Sequence, residues 1–211
     1  MRMARNVAGI GVLGGLCLMA ACGDPVPPAA QAGISIHLQK YDAMTMPDHA
    51  GDQCPPSAHW VNVPYDKDRM PTNQKQLTND NDSAKAVNNQ EGNKVSCSVT
   101  PSGSGFAVKG DGNGYAESNG TKYNPSIITI RIPVIAPGDA SAKGSVAVQD
   151  HASLNTYQTD QCLFSVQGGS LDVAAGKIWG SVKCENIADA STPGSACFVD
   201  AGFFKFENCS Q

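Results

Sequence analysis

The residues best suited to covalent chemistry in this chain are its cysteines. Six of the eight follow residue 22: Cys54, Cys97, Cys162, Cys184, Cys197 and Cys209. No two are spaced C-x₂₋₄-C, which argues against a zinc site closed by thiolates. An even set in an exported chain reads instead as three disulfides. Joining neighbours in sequence gives Cys54–Cys97, Cys162–Cys184 and Cys197–Cys209 as the expected bridges. The four histidines, His37, His49, His59 and His151, form no HExxH or HxH pattern. His49 and His59 flank Cys54, but without ligand spacing all four read as surface-loop residues.

Asp111-Gly112-Asn113-Gly114 with Glu117 has the beginning of a calcium loop. Tyr115, Ala116 and Lys122 then stand where the pattern requires an acid or amide, a glycine and a glutamate. The run therefore reads as a Gly/Asn turn between strands. Asn79 to Asp82 reads as a solvated loop. Nucleophilic hydrolysis needs a nucleophile, a base and an orienting group. There is no G-x-S-x-G elbow, and bridged cysteines leave no thiol. Any two strands can bring paired carboxylates together for glycoside hydrolysis, but nothing in the order of residues marks such a pair. The expectation is a protein without a catalytic constellation, metal or cofactor.

Aromatic side chains offer a different chemistry. Trp60 and Tyr65 border a long polar segment, and Trp179 sits in a strand-like run. An outward tryptophan is a platform for a sugar ring or an anchor for a partner. Trp179, Trp60 and Tyr65 are thus the candidate ligand contacts. For Trp179 the plainer alternative is that a loop or second sheet covers it.

The elements that must position these residues are strands. Short alternating apolar runs bounded by Gly, Pro, Asn, Asp and Ser recur throughout, with almost no amphipathic helix. Expected strands are 34–38, 94–100, 105–110, 126–135, 144–149, 162–167, 177–184, 196–200 and 203–207. In the strongest, SIITIRIPVI, Ile128, Ile130 and Ile132 share a face to be buried, and Pro133 signals an edge or bulge. Cys162, Phe164 and Val166 share a face, as do Ile178, Gly180, Val182 and Cys184. Pairing Cys162 with Cys184 sets Phe164 opposite Val182 and Val166 opposite Gly180, so disulfide and apolar register agree. Asp200-Ala201-Gly202 is expected to turn a C-terminal hairpin, with Phe203, Phe204 and Phe206 supplying core bulk. Such spacing predicts an all-β fold: an antiparallel β-sandwich, or alternatively a partly open β-barrel, stapled by disulfides. Residues 64–93 form the conspicuous long polar loop, with a short helix conceivable over 74–86.

The N-terminus carries the clearest signal. Arg2 and Arg5 precede an uncharged stretch from Val7 to Ala21, too short for a membrane span and suited to the apolar core of a cleavable signal. It ends in Leu18-Met19-Ala20-Ala21-Cys22. This resembles the lipobox of bacterial lipoproteins, with Met19 at a position usually held by leucine. The resemblance covers residues 1–22 only. It implies that Cys22 receives diacylglycerol, that the chain is cut before it, and that the new amine is acylated. Several acyl chains hold a membrane far more firmly than one. Gly23, rather than an aspartate, follows Cys22, which by the enteric sorting rule implies the outer membrane. Residues 22–33, rich in Pro, Ala and Gly, read as lipidated cysteine plus flexible tether, and residues 34–211 as one domain.

The chain has 15 basic side chains, Arg2 and Arg5 among them, against 19 acidic ones. No basic run follows Arg5, which argues against nucleic acid as a partner and against a polybasic membrane face. The functional expectation is a lipid-anchored envelope protein acting as a binding or structural module toward a glycan or an envelope protein. The alternatives are a carbohydrate- or surface-ligand-binding module, and an envelope hydrolase whose site forms only in three dimensions.

Overall fold

The computed structural model describes residues 27–40, 58–64, 86–118, 121–150, 155–168, 171–190 and 196–211. It is all-β, one antiparallel sheet curled into a half-barrel, the geometry on which the sandwich and the partly open barrel converge. The strands are β1 (Gln31–Gln39), β2 (His59–Val63), β3 (Ala86–Val87), β4 (Lys94–Ser102), β5 (Gly105–Ser118) and β6 (Thr121–Ile135), followed by β7 (Ala142–Gln149), β8 (Thr156–Ser165), β9 (Asp172–Ala174), β10 (Lys177–Asp189) and β11 (Ala196–Glu207). Their order is β2-β1-β11-β10-β8-β7-β6-β5-β4, with β3 paired to β1 and β9 to β10. From β4 to β11, apart from the short β9, the sheet is a meander in chain order. β1 then adds to its last strand.

Alternation explains the curl. The inward residues of β1 (Ile34, Ile36, Leu38), β6 (Ile128, Ile130, Ile132) and β11 (Val199, Phe204, Phe206) are almost completely buried in one core. A single sheet can bury one face this way only by folding over itself. Phe206 from β11 stands over Gly110 of β5, where an added Cβ would come within 2.1 Å of the ring. Gly112 likewise faces Ile34 and Val63. The glycines of Asp111–Gly114 thus lie inside strand β5 and face the core. The turn expected there is corrected: these positions are small because opposing side chains fill the space.

The closing seam runs along β4. Val99 N donates to Ser210 O and Ser210 N to Cys97 O, each at 3.0 Å, while Gly176 N donates to Val99 O at 3.0 Å. Ser98 and Ser210 form an isolated parallel bridge. Cys97 and Cys209 are disulfide-bonded across this seam. That bond overturns two expected bridges, Cys54–Cys97 and Cys197–Cys209. Neighbours in sequence are not neighbours here, because the curl brings the tail after β11 to the far edge of the sheet. Cys162–Cys184 is formed as expected, with Cys162 opposite Cys184 and Phe164 opposite Val182. Cys197 is disulfide-bonded as well. Cys22 and Cys54 lie outside the described residues.

Two further expectations change. Asp200-Ala201-Gly202 is no turn: β11 runs unbroken from Ala196 to Glu207 between β1 and β10. Gly202 is small because a Cβ would meet Val182 at 2.6 Å and Ile36 at 3.0 Å. Phe204 and Phe206 are core residues, but Phe203 is half-buried on the opposite face. At the N-terminus, Gln31, Ala32 and Gly33 pair with Glu207, Phe206 and Lys205, so the last part of the expected tether is strand. Of the long polar loop, Pro64 and residues 86–93 are described, and the latter hold β3 and a turn. The helix considered over 74–86 falls almost wholly outside the described residues.

Candidate functional site on the outer face

Because the inner face is filled, chemistry with other molecules belongs to the outer face. On β2, β1 and β11 that face carries Trp60, His37, Gln39 and Asp200. His37 is the cross-strand partner of Trp60, and their rings stack with centroids 4.7 Å apart and planes 21° apart. The pairing of β1 with β11 slips between His37 and Leu38: His37 opposes Ala201, and Leu38 opposes Val199. Asp200 is the extra residue. A bulge of this kind re-aims a side chain that regular alternation would point elsewhere.

Asp200 is aimed at His37. Nδ1 of His37 lies 2.7 Å from Oδ1 of Asp200, and Nε2 of Gln39 donates to Oδ2 at 2.6 Å. A carboxylate acceptor fixes the proton on Nδ1, which leaves the other ring nitrogen of the neutral imidazole as an acceptor. The His37 side chain is 19% exposed and that of Asp200 38%. Trp60 therefore rests on an imidazole whose position is set by a carboxylate, itself fixed by an amide. Each member is held by the next, so the group is preorganised.

The neighbouring rows are more closed, with Ser35 and Gly33 buried. Ser35 pairs with Asn62 on one side and Phe203 on the other, and its hydroxyl bonds to the Asn62 side-chain carbonyl. Phe203 in turn faces Ser181 on β10. Gly33, Lys205 and Trp179 form the next row. Half-buried Trp60, Phe203 and Trp179 thus lie on this face, separated at β1 by the buried Ser35.

Trp179 does lie on the opposite face from Ile178 and Val182, as its register requires. It is half-buried, with the Lys205 ammonium 4.8 Å from its ring centroid and Lys205 bonded to Glu207 at 3.0 Å. Its cover therefore includes a side chain of the same sheet face. The indole nitrogen is buried without a hydrogen-bond partner among the described residues. Tyr65, His49 and His151 lie outside the described residues. Two of the four expected loop histidines are corrected: His37 sits in mid-strand with a carboxylate partner, and His59 begins strand β2. Asp200, expected in a turn, stands instead at a bulge that carries no proline to mark it, and Phe203, expected in the core, lies half-buried on this outer face.

Asp111, from the failed calcium pattern, is engaged by Arg131, whose guanidinium donates to both carboxylate oxygens at 2.8 and 3.0 Å. Among the described residues no group of three or more His, Cys, Asp or Glu is placed to hold a metal ion. No family model, no curated protein and no solved structure matches this chain.

Proposed function

We propose that this chain is a lipid-anchored binding module of the cell envelope that takes up saccharide on the outer face of β2, β1 and β11. The observation that carries this reading is the fixed Trp60–His37–Asp200 stack. Sugars offer C–H faces to aromatic planes and hydroxyls to carboxylates, amides and imidazoles, and this face sets all of these side by side. Cys22 supplies the anchor, and Gly23 points to the outer membrane.

The test is a fluorescence titration with neutral and acidic oligosaccharides. The expected result is a saturable quench of tryptophan emission that survives Trp179→Phe and is lost in Trp60→Ala. A quench that persists without Trp60 would overturn the site. The anchor is tested separately: Cys22→Ala should abolish lipid processing and release the chain from membranes.

The second reading, an envelope hydrolase, draws on the His37–Asp200 pair. A carboxylate that orients the Nδ1–H of a histidine is the supporting half of a general-base arrangement. Turnover of an oligosaccharide or ester by the intact chain, lost in His37→Ala, would favour it over binding alone.

A further inference from the structure

A second site lies on the outer face of β5, β6, β7 and β8, on a different part of the sheet from the aromatic surface. It is a groove of about 360 Å³, the size of a small-molecule site. Two bulges and a proline make it. Val108 pairs with Ile132 but Phe106 with Ile135, so Pro133 and Val134 together oppose Ala107. Gly144 pairs with Cys162 but Val146 with Thr159, so Asp160 and Gln161 together oppose Ser145. Between these bulges the β6–β7 ladder ends at Arg131 and Ser145, before Pro133, which has no N–H to donate. A regular sheet would be flat here.

The lining has two parts. Ala107, Pro133 and the backbone at Gly144 form an apolar floor. The only large hydrophobic side chains exposed among the described residues lie outside this lining but adjoin it in register: Val134, next to Pro133, and Leu163, cross-strand from Lys143. Lys109 and Lys143 line the groove, and both are exposed and make no ion pair with a described residue. Arg131 is spent on Asp111 and on the carbonyls of Gly110 and Ile130. Asp160 is the one carboxylate in the lining.

An acidic chain has thus placed two lysines, without an ion pair among the described residues, over an apolar floor and next to the two exposed aliphatic side chains of the described residues. Lysines recognise anionic oxygen as point charges, and the floor recognises a body that water does not hold. We infer that this groove binds a small organic anion, a phosphate monoester or carboxylate carried on an apolar body. The inference stands independently of the saccharide reading.

Calorimetric titration of the intact chain with phenyl phosphate, inorganic phosphate and phenol tests it. Phenyl phosphate should bind at least tenfold more tightly than either fragment and weaken as salt rises. The double variant Lys109→Gln, Lys143→Gln should lose at least tenfold in affinity. Its melting temperature and the Trp60 quench should be unchanged, since both lysines are exposed and remote in strand order from β1 and β2. Equal affinity for phosphate and phenyl phosphate would remove the apolar body from the proposal. Binding unaffected by the double variant would overturn the site, as would binding only to vesicles containing phosphatidic acid, which would indicate a membrane surface instead.

Discussion

Cys97 and Cys209 lie 112 residues apart in sequence, yet they are disulfide-bonded with their Cα atoms 4.9 Å apart. Cys97 belongs to β4, at one end of the strand order, and Cys209 to the tail after β11. The bond therefore holds the curl closed, alongside the backbone bonds of Ser210 to the same strand. Cross-linking so long a loop removes much of the freedom of the unfolded chain. In the chain-entropy model its loss in the Cys97→Ser, Cys209→Ser variant costs about 5 kcal/mol. Cys162–Cys184, spanning 22 residues, is worth about 3 kcal/mol on the same model. Denaturant melts of the two double variants should rank them in that order, and the reverse ranking would mean that the seam is held chiefly by its backbone bonds.

Cys197 is bonded, and the other described cysteines are committed to each other. If Cys22 carries lipid and the signal is removed, Cys54 is the remaining partner. Peptide mapping under non-reducing conditions should recover a Cys54–Cys197 fragment. A fragment joining Cys197 to Cys22 would refute the lipid anchor.

Gly110 is where the two halves of the sheet press together. Gly110→Ala would place a methyl group within 2.1 Å of the Phe206 ring, and overpacking of this kind costs about 1–3 kcal/mol. Gly112→Ala, whose nearest neighbours are at 3.0 and 3.1 Å, should cost less. Adding Phe206→Leu to Gly110→Ala should recover part of the loss, a coupling that a double-mutant cycle reads directly.

The chain has two tryptophans, so a Trp179→Phe background leaves Trp60 as the sole reporter. In that background His37→Ala should shift Trp60 emission to the red by opening one ring face to water. Asp200→Ala should produce a smaller shift, because the imidazole remains but is no longer held. The pair is partly exposed, so the stability cost of Asp200→Ala should stay within about 1 kcal/mol. An unchanged spectrum in both variants would mean that the stack does not persist in solution.

Alternation alone made the strands legible. Ile128, Ile130 and Ile132 are buried as their period demands, and the Cys162–Cys184 register follows from matching two apolar faces. Pro133 marked its bulge correctly, because a missing N–H is a property of one residue. These are facts of short range, set within one strand or between two strands whose paired cysteines are 22 residues apart.

What the sequence by itself determined is therefore the all-β class, most of its strands and one disulfide. Which strands meet across the core was decided only by the tertiary structure. Gly110 opposite Phe206, Cys97 bonded to Cys209 and Asp200 turned toward His37 all depend on how far one sheet curls. That curl is the summed outcome of burying every inward face at once. Glycines that read as turns are instead contact points between distant strands, and a histidine that read as a loop residue is held by a carboxylate more than a hundred positions away.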